Sequence, residues 1–241
     1  MDEHIFTGED FNFSEGKIIL LNKPLEWTSF DLVHKVRRLI QRNFNIKKIK
    51  VGHAGTLDPL ATGLMIICTG RATKKITQFQ DLNKEYVATL QLGKTTPSFD
   101  LETEPDATFP VEHITKALTE QILDDFVGES MQVPPIFSAK NINGKRAYEY
   151  ARAGEEATLK SVKINIGAIE LLDYDVPELV IRVVCSKGTY IRALVRDIGE
   201  ALNSGAHMTA LERTAIGPYS MKNAFSVKDF EEKIKNHATN V

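Results

Sequence analysis

The chain has 241 residues, 42% hydrophobic and 26% charged, and a net charge of −2, the composition of an ordinary globular protein long enough to bury a full core. No apolar run approaches the roughly 18 residues that span a bilayer, and the first fifteen residues carry five acids and no Lys or Arg, which excludes a helical membrane protein and argues against a secretion signal. The two cysteines, Cys68 and Cys185, lie in apolar runs without a CxxC or a nearby histidine, so neither a disulfide framework nor a structural zinc site is expected, and a reducing cytoplasm is the natural compartment.

Taken in chain order, residues 1–15 read as a flexible acidic tail, and Lys17–Leu21 as a short strand. Thr28-Ser29-Phe30-Asp31 resembles a capping box that opens a helix, along which Phe30, Val33, Val36, Leu39 and Ile40 recur at helical spacing to about Phe44. Gly52–Gly63 is a loop, Leu64–Cys68 an apolar strand and Arg71–Phe79 a helix. Glu85–Leu92 alternates as a half-buried strand, with Tyr86, Ala88, Leu90 and Leu92 on one face. A polar, turn-rich stretch over 95–110 precedes a helix marked by Ile114, Leu118, Ile122 and Phe126, which Gly128 ends. Residues 129–162, with Pro134-Pro135 and several bases, read as a semi-independent arm. Strands near Lys163–Leu172 and Leu179–Ser186, a helix from Gly188 to about Leu202, a strand over His207–Ala215 and a short final helix complete the chain. Strands and helices mix without strict alternation, which predicts an α+β fold with a mixed sheet.

Charge is segregated. Residues 81–130 hold eleven acids against three bases, whereas residues 32–57 hold seven bases and no acid. Residues 138–152 add Lys140, Lys145, Arg146 and Arg152 against Glu149 alone. These are either solvated faces or a surface for a polyanion, whose released counterions drive association.

The stretch most suggestive of chemistry is Gly52-His53-Ala54-Gly55-Thr56-Leu57-Asp58-Pro59-Leu60-Ala61-Thr62-Gly63, a carboxylate in a loop bent by Gly and Pro between apolar segments. Pro59 pushes Asp58 toward an extended conformation, which suits either an Asx turn or a projecting reactive group. The stretch has no GxxxxGK[ST] or GxGxxG, so a phosphate cradle is disfavoured.

Residues 52–63 closely resemble the G-H-x-G-x-L-D-P-x-A-x-G loop of the TruB family of tRNA pseudouridine synthases. The likeness continues in Lys23-Pro24 with Thr28-Ser29, in Lys84-Glu85-Tyr86, and from Pro134-Pro135 through Ser138-Ala139-Lys140 to Tyr148-Glu149-Tyr150-Ala151-Arg152. It goes on in Cys185-Ser186-Lys187-Gly188-Thr189-Tyr190-Ile191-Arg192 and in Gly205-Ala206-His207 with Leu211 and Arg213. The resemblance implies the pseudouridine synthase fold, a mainly antiparallel central sheet with flanking helices. It divides the chain into a tail over 1–15 and a catalytic domain over 16–241, with an RNA-gripping insertion over 129–162 and no separate C-terminal PUA domain. It implies isomerisation of uridine 55 in the T loop of tRNA by a monomer, with no cofactor and no metal.

The resemblance also implies roles. Asp58 is the catalytic carboxylate. Arg192 is its ion-pair partner; read without the family, it is a surface ion pair on its own helix. Tyr86 stacks on the target base; alone, it reads as a core tyrosine. His53 positions RNA, or is a local hydrogen-bond partner. Lys23 contacts the Asp58 loop or the RNA backbone. Tyr190 and Leu211 wall the uracil pocket or belong to the core, and Lys140, Lys145, Arg146 and Arg152 grip phosphates. Glu26 and Thr103 stand where the family pattern has glycine, so the local turns there are expected to differ. Two other classes are consistent with the residues alone: a non-catalytic RNA binder, and a glycosidase, for which no second carboxylate accompanies Asp58.

Overall fold

A computed structural model describes residues 5–239 except 139, 143, 154 and 156–158. The strands are β1 (Ile18–Lys23), β2 (Val51–His53), β3 (Ala61–Thr69), β4 (Lys84–Leu92), β5 (Lys94–Thr95), β6 (Ala107–Thr108), β7 (Gly128–Gln132), β8 (Asn141–Ile142), β9 (Lys145–Arg146), β10 (Val162–Asp175), β11 (Glu178–Cys185), β12 (Ala206–Ile216) and β13 (Tyr219–Ser220). The α-helices are α1 (Ser29–Asn43), α2 (Ile76–Asp81), α3 (Lys116–Asp125), α4 (Ala147–Ala153), α5 (Ile191–Ala201) and α6 (Val227–Thr239). No described helix is long and apolar enough to cross a membrane. The main sheet runs β1-β3-β12-β4-β11-β10-β7, with β2 beside β3 and β13 beside β12, and the described registers are antiparallel. The fold is α+β.

The chain divides into two compact units, residues 1–85 with 212–241 and residues 86–211. In the first unit β1 lies antiparallel to β3 from Ile18↔Cys68 to Lys23↔Gly63, and Ile18, Leu20, Leu64, Ile66 and Cys68 fill a core with Phe79 and Ile216. The capping box exists: the Thr28 side chain accepts from the Asp31 backbone, and the Asp31 carboxylate accepts from Thr28 N–H. Phe30, placed by periodicity on the apolar face of α1, is instead 63% exposed; the buried face is Leu32, Val33, Val36, Leu39 and Ile40. The expected flexible tail is also corrected from residue 5 onward. Ile5 bridges Ile18, Phe6 and Phe13 are buried, and Phe11 stacks on His237 of α6 at 3.8 Å. Five acids masked a run of aromatic anchors whose burial outweighs the cost of ordering the segment.

In the second unit β10 and β11 form a long hairpin, and β7 pairs with β10 from Val162↔Gln132 to Ile166↔Gly128. Residues 129–132, assigned by sequence to the arm, are therefore sheet, and the arm leaves it only after Gln132. The β8–β9 pair and α4 form its described part.

Candidate active site

The Asp58 loop is held from several sides within the first unit. Ala54 N–H donates to the Ile66 carbonyl at 3.0 Å, and Ala61 N–H donates to that of Asp58 at 3.0 Å. The Ser29 hydroxyl accepts from Leu57 N–H at 2.8 Å and donates to the Leu57 carbonyl at 3.0 Å. Glu26 N–H donates to the Pro59 carbonyl at 2.9 Å. Leu57 is buried and Asp58, next to it, is half-buried. A loop with its backbone groups bonded in this way presents a side chain in one orientation, the preorganisation that a reactive group needs.

Two buried cations surround this loop. Arg213, almost wholly buried on β12, donates from Nε to the Leu64 carbonyl at 2.8 Å, from Nη2 to that of Gly55 at 3.1 Å and from Nη1 to that of Thr56 at 3.5 Å. Gly63 has φ +106°, and a Cβ there would meet the Arg213 carbonyl oxygen at 2.4 Å, so this loop terminus requires glycine. Lys23 is 0% exposed; its ammonium donates to the carbonyls of Pro24, Trp27 and Pro59 at 2.9, 2.6 and 3.3 Å. Burial pushes the Lys23 pKa down to about 8, opposed by the negative charge of Asp58 and assisted by the positive charge of Arg213. Of the two contacts expected for Lys23, the one to the loop is present, through the Pro59 carbonyl. His53, half-buried, has its pKa lowered chiefly by burial, and its buried Nδ1 has no hydrogen-bond partner among the described residues.

In the second unit Tyr86 lies buried on the inward face of β4 with Ala88, Leu90 and Leu92. Arg192, 5% exposed in the first turn of α5, donates to the carbonyls of Ser98 at 3.2 Å and Phe137 at 2.9 Å, and its Nη1 lies 3.4 Å from Oδ2 of Asp100. Arg192 is thus no surface residue, and the carboxylate beside it in its own unit is Asp100, itself 3% exposed. Between Ser98 and Asp100, Phe99 has φ +63°, a left-handed conformation that is costly for a bulky residue. Thr103, at the family's glycine position, closes this loop: its hydroxyl accepts from Ser98 N–H at 3.1 Å and pairs with the Ser98 hydroxyl at 2.8 Å. Gln132 brackets Tyr190, accepting from its N–H at 2.9 Å and donating to its carbonyl at 3.1 Å. Tyr190 is half-buried at the start of α5, and Leu211 is buried on β12.

On the arm, Lys145 pairs with Glu155 at 3.2 Å and lies over the Tyr150 ring, and Arg152 pairs with Glu102 at 3.0 Å and lies over Tyr148. Arg146 is exposed and Lys140 half-buried. Such exposed pairs are weak enough to exchange for phosphates. Sequence reading assigned no role to Asp100, Gln132 or Arg213; only the motif position of Arg213 was visible, since long-range backbone acceptors leave no local signal. Among the described residues no group of three or more His, Cys, Asp and Glu side chains is gathered as for a metal ion.

An α+β fold built on an antiparallel sheet, carrying an immobilised G-H-x-G-x-L-D-P loop, defines the pseudouridine synthase class. The TruB family pseudouridylate synthase N-terminal domain matches residues 41–191, and the tRNA pseudouridylate synthase B C-terminal domain matches residues 192–240. Similar proteins named tRNA pseudouridine synthase B occur in Phocaeicola vulgatus, 61% identical over 92% of this chain and 94% of that one, and in Flavobacterium johnsoniae, 52% identical over 92% and 98%. Among solved structures, a Cbf5-Nop10-Gar1 complex is similar at a TM-score of 0.69 and 28% identity, over 91% of this chain and 54% of that one. An H/ACA RNP bound to a substrate RNA containing 2'-deoxyuridine gives a TM-score of 0.66 at 25% identity, and this chain spans 53% of the length of that one. The chain belongs to the TruB family of tRNA pseudouridine synthases, and it is an isomerase.

Proposed function

We propose that this enzyme converts uridine 55 in the T loop of tRNA to pseudouridine. The C1′–N1 bond breaks, C1′ bonds to C5, C5 loses its proton and N1 gains one. The reaction is an isomerisation and calls for no redox or phosphoryl partner. Asp58 is the carboxylate at the reacting nucleotide, Tyr86 the ring against the extruded uracil, and Arg192 the guanidinium that supports the site's anionic charge. His53 contacts the RNA, Tyr190 and Leu211 line the uracil site, and Lys140, Lys145, Arg146 and Arg152 take phosphates of the T arm. A monomer acting in the cytoplasm without a metal belongs to the same reading.

The observation that carries this proposal is the Asp58 loop, matched without a gap to the family motif and tied down by Ser29, Arg213 and Lys23. The test is conversion of a T-arm stem-loop RNA by the purified chain without additives. Wild type forms pseudouridine at the position equivalent to 55; Asp58→Asn binds the RNA as tightly and forms none. Turnover retained in Asp58→Asn removes Asp58 from this role.

A further inference from the structure

We propose that the outward stripe of α1, Phe30, His34, Arg38 and Arg42, is a second RNA-contacting surface, distinct from the arm, on which a base stacks at the Phe30 end and phosphates run along the two arginines. This rests on the proposed tRNA substrate and adds to it a contact face that the motifs did not assign.

The four residues are spaced i, i+4, i+8 and i+12, so they form one ridge opposite the buried face of Leu32, Val36 and Leu39. The ridge is about 18 Å long at 1.5 Å per residue. Phe30 is 63% exposed, and its ring lies 5.2 Å from that of His34, forming an open aromatic pair. Arg38 and Arg42 are exposed. The neighbouring cations are otherwise engaged: Lys35 pairs with Glu231 of α6, and Arg37 donates to the Val51 carbonyl at 3.2 Å. The one acid on this face, Asp31, is folded back into the capping box. No acid occurs from residue 32 to 57, and Lys47, Lys48 and Lys50 extend the positive charge beyond the helix as exposed side chains.

The stripe is also tied to the Asp58 loop. Ser29, beside Phe30, is hydrogen-bonded both ways to Leu57, and Glu26 donates to Pro59. Leu25, 54% exposed, adds an apolar group next to this junction. An aromatic platform followed by cations at helical spacing matches single-stranded nucleic acid, whose bases stack and whose phosphates need positive charge. An apolar peptide would leave the two arginines unused.

The test measures affinity of the full chain for a T-arm stem-loop RNA across a salt series, together with single-turnover conversion. Phe30→Ala is expected to weaken binding about tenfold with an unchanged salt slope, as for one lost stack, and Phe30→Trp to restore it. Arg38→Ala with Arg42→Ala is expected to weaken binding and to make the log–log salt slope shallower by about 1.5, for two lost phosphates. Wild-type affinity and slope in all these variants overturn the stripe while leaving the synthase reading intact. Slower conversion at unchanged affinity and slope overturns it too, because the effect then lies in the loop. A wild-type chain that neither binds nor converts the RNA overturns the synthase reading and the stripe with it.

Discussion

The guanidinium of Arg213 donates to the backbone carbonyl of Gly55 at 3.1 Å, joining positions 158 residues apart. With its bond to Leu64, this single buried side chain ties the entry and exit of the Asp58 loop to β12. Removing it takes a donor from the Leu64 carbonyl in a buried bond and from the part-buried carbonyls of Gly55 and Thr56, at about 1–3 kcal/mol for a buried group left unsatisfied. Arg213→Ala is expected to lower unfolding free energy by about 3 kcal/mol in denaturant titrations. Arg213→Lys is expected to recover part of that stability while its single-turnover rate stays at least tenfold down, because an ammonium does not reproduce the guanidinium fork.

Asp100 and Arg192 form a buried ion pair within the second unit. Removing the Asp100 carboxylate takes a buried anion from beside Arg192, and breaking a buried ion pair costs up to about 3–5 kcal/mol. Asp100→Ala is expected to lose that much stability by chemical denaturation. Asp100→Asn keeps the volume and an acceptor oxygen, so it is expected to lose less stability and still to convert RNA more slowly, since Arg192 then loses the negative charge of Asp100.

Lys23 provides a pH signature. Its pKa is about 8 in the folded chain against an ordinary 10.5. Below pH 8 both states are protonated, and the full cost of burying the charge weighs on the folded state. Between about pH 8 and 10.5 the unfolded state binds more protons, so stability rises with pH by up to about 1.4 kcal/mol per unit. The stability of wild type relative to Lys23→Met, followed by urea unfolding at several pH values, is expected to rise across that window. A flat difference would show that the ammonium is not buried as described.

Glu26 holds φ +66° where the family pattern has glycine. That conformation costs about 1–2 kcal/mol for a residue with a Cβ, and glycine returns part of the gain through the entropy of the unfolded chain. Glu26→Gly is expected to stabilise the protein by about 0.5 kcal/mol, visible as a small rise in melting temperature, with conversion unchanged.

Much of the architecture was legible because it depends on local periodicity. The alternation over Glu85–Leu92, the capping box at Thr28 and the apolar run at Leu64–Cys68 mark β4, α1 and β3 to within a few residues. Reading failed where long-range packing overrode the pattern. Phe30 fits the helical period yet points outward, because at about 100° per residue it lies at the edge of the stripe that Leu32, Val33, Val36, Leu39 and Ile40 bury. Residues 5–15 looked like a solvated acidic tail, yet Phe6 is buried against Phe230 of α6 and Phe13 against Phe44, just past α1.

The sequence by itself determined the loop with its aspartate, the family, the class of reaction and the segregation of charge, because these reside in residue identity and short spacing. Only the tertiary structure decided what holds them. That Lys23 serves the loop, that Arg192 lies beside Asp100 and that Arg213 ties Gly55 to Leu64 all depend on hydrogen bonds and ion pairs between distant segments. Those bonds form because buried polar groups must find partners wherever the folded chain brings them.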